Sequence, residues 1–138
     1  MRVSRILLAE DNDADVFLVR QALEEHRVKH ELHVVQDGAE AISYVSRMGE
    51  HGTVCCPDLM LLDLNLPSAD GPQILAAFRK NPQCAKTPVI IVTSSDAPRD
   101  RARVSDLGIS HYFKKPSDWD EFMELGAVVL KTLSERAA

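Results

Sequence analysis

Asp58-Leu59-Met60-Leu61-Leu62-Asp63-Leu64-Asn65-Leu66-Pro67-Ser68-Ala69-Asp70-Gly71 is the stretch whose reading decides the fold. Leu59 to Leu62 are apolar on both faces of an extended chain, the pattern of a central parallel strand covered by helices on each side. The run ends in Asp63, and Pro67 and Gly71 stop the strand and turn the chain. The Asp63 carboxylate is therefore expected in the crevice beyond the carboxyl end of the strand, where open α/β sheets bind their ligands. Its position makes it a candidate nucleophile or metal ligand.

Upstream, Ile6 to Ala9 read as another buried strand, which runs into Glu10 and Asp11, a second group of carboxylates at a strand end. Asn12 or Asp13 is placed to cap a helix carrying Val16, Val19 and Leu23 at helical spacing, with Phe17 beside them, as far as about His26. Alternation from His30 to Val35 predicts a less buried edge strand. Asp37 to Glu40 open a second helix with Ala41, Ile42, Val45 and Met48 inward, and residues 49–57 are expected to form a loop.

Downstream, Gly71-Pro72 opens a third helix that Asn81-Pro82 ends, and Pro88 to Val92 form a fourth strand that delivers Thr93, Ser94 and Ser95. A helix starting near Pro98 is closed by Gly108, and a short strand from Ser110 to Phe113 leads to Lys114-Lys115-Pro116. Ser117 is the expected cap of a last helix, whose stripe of Trp119, Phe122, Gly126, Val129 and Leu133 is predicted to dock on the sheet. Five strands alternating with five helices specify a doubly wound α/β fold with helices on both faces of a parallel sheet. Right-handed crossovers favour the strand order 2-1-3-4-5. With 138 residues and no linker or repeat, one domain over 1–138 is expected, without an output domain.

Composition narrows the function. Apolar residues at 45% and charged residues at 27% are ordinary for a globular chain, and no apolar run is long enough to span a bilayer. A cytoplasmic protein without a membrane role is the expectation. The net charge of −5 argues against nonspecific nucleic-acid binding, and Arg99, Arg101 and Arg103 read as a solvated helix face. Cys55, Cys56 and Cys84 are odd in number and lack CxxC spacing, so reduced thiols are expected. His30 and His33 stand three apart on a strand and point to opposite faces, which defeats chelation.

In the expected strand order, neighbouring strands present Glu10 and Asp11, then Asp63, then Thr93, while the fifth presents Lys115. Crowded carboxylates raise one another's pKa unless a cation joins them, and an oxygen-rich site suits Mg2+. A lysine and a hydroxyl at the same edge can hold the oxygens of a transferring phosphoryl group. Phosphoryl chemistry on a carboxylate is the reading. An aspartyl-phosphate phosphatase would need a general acid two residues after the nucleophile, where Asn65 stands.

The chain resembles the receiver domain of two-component response regulators over nearly its whole length. The matching pieces are Glu10-Asp11, Asp63 with Asn65, Pro67 and Gly71, then Thr93-Ser94, and Lys115-Pro116. Within that family, Glu10 to Asp15, Asp63 to Pro67 and Lys115 to Phe122 look like stand-alone regulators paired with bacterial phytochrome kinases. The resemblance implies that Asp63 takes a phosphoryl group from a phosphohistidine of a sensor kinase. It implies Mg2+ held by Asp11, Asp63 and the Asn65 carbonyl, with Glu10 acting through water. Thr93 and Lys115 would contact the phosphoryl oxygens, and Tyr112 would be the aromatic switch partner of Thr93. A cis Lys115-Pro116 bond, with Lys114 turned outward, is expected. So is a signal read by a downstream protein, or by a homodimer, on the face of the fourth helix, fifth strand and last helix.

Overall fold

A computed structural model describes residues 2–48 and 54–137. Most of the expected loop at 49–57, including His51, lies outside the described residues. The strands are β1 (Ser4–Ala9), β2 (His30–Val35), β3 (Leu59–Leu62), β4 (Val89–Thr93) and β5 (His111–Lys114). The helices are α1 (Asp13–Glu25), α2 (Gly38–Ser46), α3 (Gly71–Arg79), α4 (Pro98–Ser105) and α5 (Trp119–Ala137). All pairings are parallel, in the order β2-β1-β3-β4-β5 that the sequence suggested.

Alternation along the strands divides the core into two. Leu7, Ala9, Met60, Leu62, Val89 and Ile91 face α2, α3 and α4, where Ala41, Val45, Ile74, Leu75, Phe78 and Val104 meet them. Ile6, Leu8, Leu59, Leu61, Ile90 and Val92 face α1 and α5, against Val19, Leu23, Phe122, Leu125 and Val129. A leucine or valine buried this fully contributes about 1.5–3 kcal/mol, so β1, β3 and β4 are fixed in register by both layers at once.

The helix starts follow from side-chain caps. Asn12 accepts from Asp15 N–H, Asp37 from Glu40 N–H, and Asp70 forms a reciprocal capping box with Gln73. Gly71 is required by close approach, since a Cβ there would lie 2.7 Å from the Leu64 Cα.

Four sequence expectations need correction. Asp118, not Ser117, accepts the Glu121 N–H at the start of α5 (3.0 Å), because the helix begins one residue later than a Ser117 cap would require. Trp119 is exposed instead of docked, since the first turn of α5 leaves the layer over the sheet; its ring lies 6.4 Å from that of Phe17. The Lys115-Pro116 bond is trans, as no cis peptide occurs among the described residues. Cys56 and Cys84 are joined as a disulfide and only Cys55 is free. The fold brings the segment before β3 against the short 3-10 turn Pro82–Cys84, placing the two Cα atoms 5.6 Å apart, a proximity that spacing alone could not reveal.

Candidate functional site

Register places the polar residues together. Ala9 lies opposite Leu62, and Thr93 opposite Lys114, so Glu10, Asp63, Thr93 and Lys115 all emerge at the carboxyl edge of the sheet. Backbone bonds from Asp63 N–H to the Ala9 carbonyl (3.0 Å) and from Lys115 N–H to the Thr93 carbonyl (2.7 Å) extend the ladders just to this edge. Glu10, Asp63 and Thr93 are all buried.

Lys115 is the centre of the arrangement. Its Nζ donates to Glu10 Oε1 (2.6 Å), Asp15 Oδ2 (2.8 Å) and Asp63 Oδ2 (3.0 Å), which uses all three ammonium protons. Burial alone would lower the Lys115 pKa, but the hydrogen bonds to Asp15 and Glu10 and the charge of Asp63 raise it. Glu10 is pushed up to about 7, first by burial and further by the neighbouring Asp63 charge, with the Lys115 hydrogen bond opposing. Lys114, the last residue of β5, is exposed.

Glu10, Asp11 and Asp63 each offer a carboxylate oxygen, and these oxygens lie within 4.8 Å of one another. An all-oxygen set of this kind fits a hard divalent cation, and the ammonium already lodged on Glu10 and Asp63 shows that the pocket is built around positive charge. Asn65 N–H donates to Asp63 Oδ1 (3.1 Å), which keeps Asn65 beside the cluster.

Residues 6–126 match the family description "Response regulator receiver domain". This chain belongs to the response regulator receiver family. Response regulator Rcp1 of a Synechocystis sp. is 34% identical over 120 residues, 87% of this chain and 82% of that protein. The crystal structure of the phosphorylated cyanobacterial phytochrome response regulator RcpA superimposes with a TM-score of 0.86 at 33% identity, covering 99% of this chain and 98% of that one. The Mn2+-bound form of Rcp1 gives 0.80 at 32% identity, with 91% of each chain covered. Receivers are signalling phosphoacceptors of two-component systems, phosphorylated by histidine kinases and read by partners, not conventional enzymes.

The receiver's remaining expected site residue, Tyr112, lies on β5 and does not reach the acidic cluster directly. Its hydroxyl donates to the Ser95 carbonyl (2.7 Å), while Thr93 Oγ1 accepts from Ser95 N–H (3.3 Å). The Arg101 guanidinium lies over the tyrosine ring at 4.2 Å and pairs with Asp96, so this arginine is not the merely solvated residue the sequence suggested. Asp15, Ser95 and Arg101 are the site neighbours that sequence reasoning did not assign. For Asp15 a signal existed, a carboxylate in the first turn of the helix that directly follows Glu10 and Asp11, but its engagement depends on how far Lys115 reaches.

Proposed function

We propose that this receiver accepts one phosphoryl group on Asp63 from a phosphohistidine of a sensor kinase, of the phytochrome type, and signals by a change of surface. The observation that carries the reading is the convergence of Lys115 Nζ and the carboxylates of Glu10, Asp11 and Asp63 at one strand edge beside a buried Thr93 hydroxyl. In the transfer, an Asp63 carboxylate oxygen forms the new O–P bond as the N–P bond to the donor imidazole breaks, the electron pair leaving with the nitrogen. Lys115 donates to an oxygen of the transferring group and offsets its charge. Thr93, close by on β4, supplies a hydroxyl to a second oxygen once the group is attached.

Asp11, Asp63 and the Asn65 carbonyl would hold Mg2+, with Glu10 behind them. Bound there, the cation would neutralise the crowded carboxylates and the charge of the phosphoryl oxygens. The Mn2+ in the Rcp1 structure supports a divalent cation of this class. Self-phosphorylation from small phosphodonors and self-dephosphorylation are the catalysis proposed for the chain.

Residues 1–138 are read as one receiver unit, working in the cytoplasm and away from membranes and nucleic acid. Among the described residues no helix is long and apolar enough to cross a membrane. The signal would pass to a downstream protein, or to a second copy of the chain, through the face of α4, β5 and α5.

Incubation with acetyl phosphate and Mg2+ followed by intact mass tests the assignment. The wild type is expected to gain a single phosphoryl mass and Asp63→Asn none. Equal labelling of the two proteins overturns it.

A further inference from the structure

We infer that Asp15 is a positioning residue for Lys115, holding the ammonium at the acceptor during phosphoryl transfer. The inference rests on the reading of Asp63 as the phosphoryl acceptor. Of the three carboxylates that Lys115 contacts, Glu10 and Asp63 also belong to the oxygen cluster that fits a divalent cation. Asp15 lies outside that cluster yet bonds the same ammonium at 2.8 Å. It is therefore the one anionic partner of Lys115 that neither the cation nor the incoming phosphoryl group claims.

Lysine is a point charge on a flexible four-carbon stem, and holding it in one place costs rotamer entropy unless a partner fixes it in advance. Lys115 reaches Asp63 Oδ2 and Asp15 Oδ2 at the same time, at 3.0 and 2.8 Å, so the Asp15 contact does not withdraw the ammonium from the acceptor. Asp15 is itself rigidly placed. Its N–H is capped by Asn12 Oδ1 at 3.1 Å in the first turn of α1, so the carboxylate projects from an ordered helix start and not from a loop. Glu10, bonded to the same ammonium, is fixed in turn by the Asn12 N–H at 3.2 Å. With Glu10 and Asp63 engaged in holding a cation, the Asp15 contact would remain and keep Lys115 aimed at the phosphoryl oxygens.

A competing effect has the opposite sign. Asp15 adds negative charge near a site that must receive an anionic phosphodonor, and its removal would speed the encounter if long-range charge were its main contribution. The two effects separate in a double-mutant cycle with Lys115, because a positioning role vanishes when the positioned group is absent, whereas a charge effect persists.

The experiment measures the initial rate of phosphorylation by acetyl phosphate at saturating Mg2+, by intact mass, for the wild type, Asp15→Ala, Asp15→Asn, Lys115→Ala and the double variant Asp15→Ala/Lys115→Ala. Asp15→Ala is expected to slow phosphorylation about tenfold, the scale of one charge-assisted hydrogen bond lost from the hold on Lys115. Asp15→Asn, which keeps an oxygen acceptor, should recover part of the rate, and the double variant should match Lys115→Ala. A wild-type rate in Asp15→Ala, a faster one, or equal losses in both lysine backgrounds overturns the inference. Far-ultraviolet circular dichroism and thermal unfolding of each variant identify any loss due to misfolding, in which case Asp15→Asn and Asp15→Asn/Lys115→Ala carry the cycle. Absence of any phosphoryl gain on wild-type Asp63 would instead defeat the acceptor reading, a result distinct from an Asp15 variant that matches a phosphorylated wild type.

Discussion

Lys114 and Lys115 are adjacent in the chain but face different surroundings, and that contrast sets the first expectation at the scale of single residues. Lys115 lies among three carboxylates, while Lys114 is exposed. Lys115→Ala removes the only cation seen on Asp63 among the described residues and leaves buried Glu10 with the Asn12 N–H but without its ammonium partner. Phosphorylation by acetyl phosphate should fall by about 10- to 100-fold, the loss of one or two charge-assisted contacts. Lys114→Ala should stay within about twofold of the wild type, an effect of the size expected for an exposed residue whose side chain has no partner among the described residues. The reverse ranking by initial rate would contradict the assignment. Glu10, Asp63, Thr93 and Lys115 were legible in the sequence as a set because each lies at or just beyond the end of a strand, and strand ends in a parallel sheet share one edge. The partners of Asp15, Ser95 and Arg101 were not, because side-chain reach and rotamer decide them. The Cys56–Cys84 pairing was hidden for a related reason: it depends on two loops meeting at the opposite end of the sheet.

Among the elements, the contact of α1 with α5 leaves no room for a side chain at Gly126. A Cβ on Gly126 would lie 2.2 Å from the Ala22 carbonyl oxygen and 2.4 Å from the His26 ring. Gly126→Ala gains up to about 1 kcal/mol of helix propensity. Against this stands an overpacking cost of about 1–3 kcal/mol, at its upper end here because the nearest atom is backbone and cannot rotate away. Urea unfolding should therefore show a lower midpoint for Gly126→Ala, and an unchanged or higher one would mean that the two helices separate freely. The sequence placed Gly126 on the buried stripe of α5 correctly, but the 3.6-residue period cannot tell where a helix stops covering the sheet. That is why Trp119, on the same stripe, was misassigned to the core. The start of α5 was misplaced by one residue because Ser117 and Asp118 are both good caps, and only the course of the chain after Lys115-Pro116 selects between them.

Across the whole molecule, two networks at opposite ends of the sheet respond to charge. At the end away from the acidic cluster, Asp58 joins the start of β1, the entry to β3 and the end of α5: it accepts from Arg5 N–H (2.8 Å) and Arg136 (2.8 Å) and pairs with Arg2. Burial alone would raise the Asp58 pKa, but the Arg5 N–H and the two guanidinium groups outweigh it and hold the carboxyl below its ordinary value. A carboxyl depressed in the folded state contributes stability above its unfolded pKa, near 3.9, and loses it as pH falls through the folded value. Asp58→Asn should thus be less stable than the wild type at pH 7, with the difference shrinking below about pH 4; a difference constant with pH would assign the loss to packing. At the other end, Thr93, Ser95, Tyr112 and Arg101 form a connected path from the acidic cluster to the surface of α4 and β5. A phosphoryl group on Asp63 would bring about −1.5 to −2 charge and three acceptor oxygens for the Thr93 O–H, whose oxygen accepts from the Ser95 N–H over 3.3 Å. Turning that hydroxyl toward Asp63 releases Ser95, whose carbonyl anchors Tyr112, so the ring and the stacked Arg101 can repack only if the segment after β4 moves with them. On the proposed reading, a phosphoryl group on Asp63 would make this contact in one arrangement and not the other, which is the differential interaction a population shift requires. With beryllium trifluoride as the phosphoryl mimic and Mg2+ present, amide exchange should change between Ser94 and Tyr112 while Val16 to Leu23 on α1 exchange as before. Sedimentation of the same samples would show whether the altered face pairs two copies. Identical exchange from Ser94 to Tyr112 in both states would rule out this route, since no other described hydrogen bond links the Thr93 hydroxyl to Tyr112.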